Sequence, residues 1–387
     1  MKVAAIICEY NPFHNGHIRQ LRDVRETIGE DGVIVSLMSG LFVQRGDAAV
    51  LPIADRVRAA LLYGADLVLE LPSPWSHAAS PYFAEGAVRL LDALGCVDTL
   101  CFGSETGDTL PLLQCAEILE SEAYQTRLDE AIRKDGHTGE SMIRMRERIL
   151  KESGADFMPT EPNDRLAVEY LRALKRENSA MVPLAFPRQS GYSATAARNA
   201  FAEGNFETLK TLVPPEILAA MQRQSVPASL SNGEKAILYA LRMTKGHTVA
   251  VPGGSDGSLS RLLDLSFDTG ALEELWEKCA DKRHTDAHFR RLALNTVLGV
   301  TPEAVRQRPT VTRILGFTDR GRVLLSSLRR RQQTLLLLTK QASSILLPEP
   351  SRFQRQTAEK AAALYSLCHP ASPAPSDLMR EGPVIVE

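Results

Sequence analysis

Cysteine is scarce, long apolar runs are missing, and no repeat divides the sequence. The 387 residues hold six cysteines: Cys8, Cys96, Cys101, Cys115, Cys279 and Cys368. No two form a C-x-x-C pair, and no set has the ligand spacing of a zinc module. Neither a disulfide framework nor a metal site is expected. The thiols read as reduced and mostly buried, as in a reducing compartment. The run "TLLLLT" falls far short of the roughly 20 residues that span a bilayer. Residues 2–7 are too few for a secretory apolar region, and Glu9 interrupts them at once. The chain is therefore expected to be soluble and cytoplasmic, with no membrane association and no evident protein partner. The lack of an internal period excludes a repeat architecture.

What is present is ordinary globular material, 44% hydrophobic and 24% charged, in a chain long enough for two domains. In the first half, short apolar runs alternate with amphipathic helical patterns. The strand candidates are "KVAAIIC", "GVIVSLM", "ADLVLEL", "VDTLCFG" and "MVPLAF". Near-continuous apolar strands separated by helices predict a parallel sheet covered on both faces. In such sheets ligands bind at the carboxyl ends of the strands. The loops there read "EYNPFHNGH", "SGLFVQRGD", "ELPSPWSH", "FGSETGD" and "PRQSGYSAT". After about residue 210, helical periodicity takes over. From 346 onward the chain is Pro-rich, with one helical piece, "RQTAEKAAALYSLC". The expected division is 1–210, an α/β domain; 211–345, a helical domain; and 346–387, a loosely attached tail.

Net charge is nearly absent too, at -2, but the average hides an asymmetry. Residues 282–340 carry thirteen Lys and Arg against Asp286, Glu303 and Asp319, a net of +10 that leaves the rest of the chain at -12. A single arginine here reads as part of a solvated helix face. The sustained imbalance is better explained by a polyanion, nucleic acid above all. The candidate contacts are Lys282, Arg283, Arg290, Arg291 and Arg313.

The stretch "CEYNPFHNGH", residues 8–17, sits where the first strand turns into the first helix. A helix start offers unpaired N–H groups and a positive dipole end, where phosphate binds readily. Gly16 permits close approach of a ligand to the backbone. His14 and His17, three apart, lie on one side of a first helical turn. They could donate to phosphate oxygens as charge builds during displacement at phosphorus. Pro12 fixes the entry, and Asn11 can cap or hydrogen-bond locally. Two unrelated polar histidines are the plain alternative. An H-x-G-H arises by accident on the order of once per hundred chains, and rarely right after a first strand. Gln44, Arg45 and Asp47 of "VQRGD" either contact substrate or form a tight polar turn.

The H-x-G-H residues resemble the HIGH-type nucleotidyltransferase superfamily, which implies a Rossmann-like parallel sheet and a grip on the phosphates of ATP. That superfamily usually has a second phosphate motif after its last strand. "GYSATAARNAF" fits it, with Ser193 and Thr195 at a helix start and Arg198 one turn in. "EYNPFHNGH", "SGLFVQRGD", "DLVLELP", "FGSE", "PNDRLAVEYL" and "YSATAAR", with "DKRHTDAHFRRLALNTVLG" and "RILGF", together resemble the bacterial tRNA(Met) cytidine acetate ligase family over most of residues 1–320. Leu41 stands where that pattern has a small polar residue, and His284 where it more usually has an aromatic. The resemblance implies an ATP site formed by Ile7, Cys8, Glu9, Tyr10, Asn11, Pro12, Phe13, His14, Asn15, Gly16, His17, Ile18, Arg19 and Gln20, joined by Gly103, Asn163 and Arg188. His14 and His17 would be its catalytic pair. Without the resemblance, Gly103 could be a strand-end turn, Asn163 a helix cap and Arg188 a surface residue.

The activity so implied uses ATP, as Mg-ATP, to turn acetate into acetyl-adenylate with loss of pyrophosphate. The acetyl group then passes to N4 of the wobble cytidine of elongator tRNA(Met), giving N4-acetylcytidine. Two other readings stay open at this level. A small-molecule adenylyltransferase of the same fold explains the first half but leaves the arginines unused. A noncatalytic, nucleotide-responsive RNA-binding protein would not need His14, Gly16 and His17 intact.

Overall fold

A computed structural model describes residues 1–135, 142–188, 191–281, 284–328, 335–340, 347 and 349–387. Its strands are β1 (Val3–Cys8), β2 (Val33–Ser39), β3 (Phe42–Val43), β4 (Asp47–Ala48), β5 (Leu67–Leu71), β6 (Thr99–Ser104), β7 (Val182–Pro187), β8 (Val311–Phe317), β9 (Leu336–Leu338) and β10 (Val384–Ile385). The main sheet runs β10-β8-β5-β2-β1-β6-β7, with β9 also on β8. The five strands anticipated from the sequence form its parallel part.

Side-chain parity explains why these runs are almost wholly apolar. Val3, Ala5 and Ile7 point with Val33, Val35 and Leu37 into a core shared with the helices Ser80–Leu94 and Pro162–Arg176. Ala4, Ile6 and Cys8 point the other way, with Ile34 and Met38, onto α1 (Asn15–Ile28), α2 (Ile53–Leu62) and the helix Ala194–Ala202. With both faces covered, the few polar residues in these strands need buried partners, as Ser36 finds in Tyr10 and Glu70 in Arg313. From β1 the chain steps to β2 and β5 on one side, then crosses back to β6 and β7 on the other. The reversal lies at β1, so a crevice opens at its carboxyl end, where the H-x-G-H loop begins.

A separate core unites the helices Glu234–Thr244, Ser258–Leu265, Leu272–Cys279 and Asp286–Leu298. The hairpin β3–β4 inserts into it through Phe42, Val43 and Ala48. Two expectations fail here. The segment 211–345 is not purely helical: "VTRILGF" forms β8, antiparallel to β5. Its partner lies more than two hundred residues earlier, a pairing that local periodicity does not register. The segment after 346 is not a loose tail either. Helix Glu349–Cys368 buries Ala361, Leu364, Tyr365 and Cys368 in the helical core, and β10 lies parallel to β8. Tyr365 Oη donates to the Ala49 carbonyl at 3.0 Å. The Pro-rich composition of this segment masked an apolar helix face.

Among the described residues no helix is long and apolar enough to cross a membrane. Cys8, Cys101, Cys115, Cys279 and Cys368 are buried thiols and Cys96 is partly buried.

Candidate active site

The loop after β1 holds its two histidines through the backbone. His14, rather than Asn11, is the N-cap of α1, in extended conformation. Its Nδ1 accepts from the Gly16 N–H at 3.1 Å, and His17 Nδ1 accepts from the His14 N–H at 3.1 Å. These reciprocal bonds satisfy donors that a helix start leaves open. The rings stack with centroids 3.7 Å apart. Burial, aided by the nearby Arg188 charge, lowers the His14 pKa to about 4. Burial, His14 and Arg188 hold His17 well below its ordinary value. Both rings are therefore neutral at pH 7, and with each Nδ1 accepting, the hydrogen sits on Nε2. That is a pair of preset donors for an oxygen gaining negative charge.

Gly16 has a packing reason as well. A Cβ there would lie 2.9 Å from His14 Cε1 and 3.1 Å from Tyr192 Cβ, so the ring could not fold over the helix start. Several neighbours expected to bind nucleotide are committed elsewhere by their side chains. Ile7, Cys8 and Phe13 are core residues. Tyr10 Oη meets Ser36 Oγ at 3.0 Å, and Asn11 Oδ1 accepts from the Val50 N–H at 2.8 Å. Asn15 donates to the Thr211 carbonyl, Arg19 lies 3.9 Å from Asp23, and Ile18 packs against the core below α1. These positions can serve a ligand through backbone or shape more readily than through side chains.

The other expected residues fall in two groups around this loop. Ser193 caps the helix Ala194–Ala202, Thr195 accepts from Arg198, and Arg198 Nη1 donates to the Asn11 carbonyl at 2.8 Å. The Ser193–Arg198 segment is thereby pinned to the H-x-G-H loop. On the other flank, a Cβ on Gly103 would lie 3.3 Å from Arg188 Cγ and 3.7 Å from Gln20 Nε2, so the missing side chain leaves these groups side by side. Arg188 lies 3.2 Å from Glu105, which also accepts from Asn163 Nδ2 and from the Asp164 N–H. Asp164 in turn accepts from Ser104 Oγ and Thr106 Oγ1.

Glu105 and Arg56 were missed by the sequence reading. Glu105 was one polar residue of "FGSETGD" among several. Arg56 lies on the apolar face of an amphipathic helix and is fully buried. It donates to the carbonyls of Glu9 and Ser39 at 2.9 Å and of Gly40 at 2.5 Å, tying the ends of β1 and β2 together. The only available signal was an arginine on the apolar face of α2.

The hairpin β3–β4 connects this loop to the arginine-rich stretch. Gln44 donates its N–H to Glu9 at 2.8 Å, and Arg45 is exposed at the tip. Arg290 lies 3.3 Å from Asp47, and Arg291 donates to the Gln44 carbonyl at 3.3 Å. Gly46, at φ +74, has no room for a side chain: a Cβ would sit 2.7 Å from the Arg291 nitrogen. Arg313 is buried, with Nε 2.5 Å from Glu70 Oε2, and does not face outward. These three arginines were expected on an open nucleic-acid surface. Arg290 and Arg291 instead brace the hairpin, and Arg313 fills the sheet. Lys282 and Arg283 lie outside the described residues.

The chain matches the HIGH Nucleotidyl Transferase family over residues 1–380. It is 33% identical over 362 residues to the tRNA(Met) cytidine acetate ligase of Acetivibrio thermocellus, covering 85% of this chain and 86% of that protein. Identity to the protein of the same name from a Thermoanaerobacter species is 31% over 353 residues, again covering 85% and 86%. The fold superimposes on Thermotoga maritima TmcAL bound with alpha-thio ATP with a TM-score of 0.87 at 30% identity, covering 100% of this chain and 99% of that one.

Proposed function

Since the chain belongs to the HIGH nucleotidyl transferase family and, within it, to the tRNA(Met) cytidine acetate ligases, we propose that it binds ATP at the carboxyl end of β1 and uses it to acetylate a tRNA cytidine. Acetate is a poor acyl donor because its leaving group would be oxide. Attack of an acetate oxygen on the α-phosphorus expels pyrophosphate and leaves a mixed anhydride, acetyl-adenylate. The exocyclic N4 of the wobble cytidine of elongator tRNA(Met) is a weak nucleophile, since its lone pair is delocalised into the ring. It needs this activated acyl group held close. Its attack on the acetyl carbon releases AMP and a proton, giving N4-acetylcytidine.

The observation that carries this reading is the convergence of His14 and His17, both neutral, with Arg188 and Arg198 at one strand end. The imidazole N–H groups suit oxygens that gain charge as pyrophosphate leaves, and the arginines suit the phosphates themselves. Mg2+ would travel on the triphosphate, where it keeps mostly phosphate and water ligands and asks for few protein carboxylates. Glu9 and Glu105 stand close to the arginines of this site, Glu9 near Arg198 and Glu105 beside Arg188. The wobble base, unpaired in its loop, can be splayed into a pocket. Arg45 and the half-buried Arg290 stand where the hairpin meets the helical core, beside the nucleotide loops, and that seam would receive the anticodon.

Pyrophosphate exchange into ATP is the test. Exchange should require acetate and proceed without tRNA, and adding tRNA(Met) should then release AMP. Exchange indifferent to acetate, or AMP retained on a product, would replace this reading with adenylyl transfer to another acceptor.

A further inference from the structure

Away from the nucleotide loops, one cluster of side chains has the make-up of a divalent-cation site. Asp256, His284 and His288 bring a carboxylate oxygen and two imidazole nitrogens within 4.8 Å of one another. His284 Nε2 lies 2.7 Å from Asp256 Oδ2, and the two rings have centroids 4.5 Å apart. The backbone places them firmly. Asp256 precedes the helix Ser258–Leu265 and accepts from the Ser258 N–H at 3.1 Å. His284 and His288 flank Thr285, the N-cap of helix Asp286–Leu298. A second carboxylate stands behind: Asp281 Oδ1 is 3.3 Å from His284 Nδ1. That contact leaves Nε2 as the ligating nitrogen, the outer arrangement that orients metal-bound histidines.

We propose that Asp256, His284 and His288 form a site for a borderline divalent cation, zinc(II) first, that ties the loop before helix Ser258–Leu265 to the start of helix Asp286–Leu298. Two imidazoles and one carboxylate are a nitrogen–oxygen donor set that zinc accepts in tetrahedral geometry. Ligands roughly 2.1 Å from such an ion stand about 3.4 Å apart, so small side-chain rotations would seat it. The Asp256 side chain is 48% exposed, which leaves a fourth position open to water. The ion would act on position rather than chemistry. One turn further along the same helix, Arg290 and Arg291 brace the hairpin that reaches Glu9. Cysteine spacing gave no sign of this site, because no thiol contributes and Asp256 is 28 residues from His284.

The test is zinc titration of untagged, chelator-treated full-length protein by calorimetry, with cobalt(II) absorption as a second readout. One equivalent should bind, cobalt should give the strong visible bands of a four-coordinate ion, and zinc should raise the melting temperature. D256N, H284Q and H288Q should each weaken binding at least about tenfold and abolish the thermal shift. D256N keeps an amide oxygen that can accept from the Ser258 N–H, so the helix start is retained. H14A/H17A protein should bind zinc as the parent does. Absence of binding in the parent, unchanged binding in H288Q, or loss of binding in H14A/H17A would each overturn the proposal.

Discussion

The histidines of the first loop are held by their neighbours in sequence, whereas four described arginines of residues 282–340 are held by carboxylates far away. His14 and His17 bond to backbone atoms two and three residues off. Arg290, Arg308, Arg313 and Arg320 pair with Asp47, Glu177, Glu70 and Glu30, all in the first half. The opposed charges of the two segments are thus in part complementary to each other. A sign imbalance along a sequence implies a partner of opposite sign, but it does not say whether that partner is another molecule or another part of the chain. The pairs are also unequal in weight. Arg320 and Glu30 are 49% and 83% exposed, and such surface pairs contribute little. Arg313 and Glu70 are 7% and 10% exposed, so losing one partner strands a buried charge.

The largest expected effect comes from breaking that buried pair. Arg313→Glu puts two carboxylates together inside the sheet and should destabilise the fold by about 3–5 kcal/mol or more. Urea unfolding measures it. Adenylation and tRNA binding should fall together, as a folding defect requires. Arg320→Glu should shift the same unfolding curve by less than about 1 kcal/mol. A stable, active Arg313→Glu protein that had lost only tRNA binding would restore the open-surface reading of the whole stretch.

The loop should behave in the opposite manner, losing chemistry and keeping its fold. His14→Ala or His17→Ala should slow acetate-dependent pyrophosphate exchange on the order of a hundredfold, the usual cost of one charge-stabilising donor. The melting temperature should change little by comparison with Arg313→Glu. Near-normal exchange in both variants would remove the pair from the chemistry and leave it a capping device.

What could be read from the sequence divides along the same line. The parallel strands, the helix start at Asn15 and the cap at Ser193 rest on short-range patterning and turn chemistry, so a few adjacent residues specify them. The strand Val311–Phe317, the place of Tyr365 against Ala49 and the burial of Arg313 rest on contacts across more than two hundred residues, which no window contains. Arg56 was hidden for another reason. One arginine on an apolar helix face looks like a flaw in the pattern until three carbonyls are found around it.

The third expected effect is in the pH dependence of stability, and the loop histidines are one source of it. Arginine stays charged throughout the accessible range, so the paired stretch adds no slope through its cations. His14 titrates at about 4 when folded, against 6.5 for an unhindered ring, and His17 is lowered too. Between those values the unfolded chain binds protons that the folded loop refuses. Stability from this source is therefore complete above about pH 6.5 and is lost as pH falls through about 4, where His14 takes up its proton, with His17 carrying the loss further down. His77 and His288, also lowered, add slopes of the same sign. The difference between parent and a His14→Asn/His17→Asn variant isolates the loop, and His14 alone should contribute about 3 kcal/mol across that window, with His17 adding in the same direction. Parallel stability curves for the two proteins would mean that the rings are not held neutral. Bound triphosphate should narrow the difference, since an anion beside the rings favours their protonated form and opposes the arginines that now lower it.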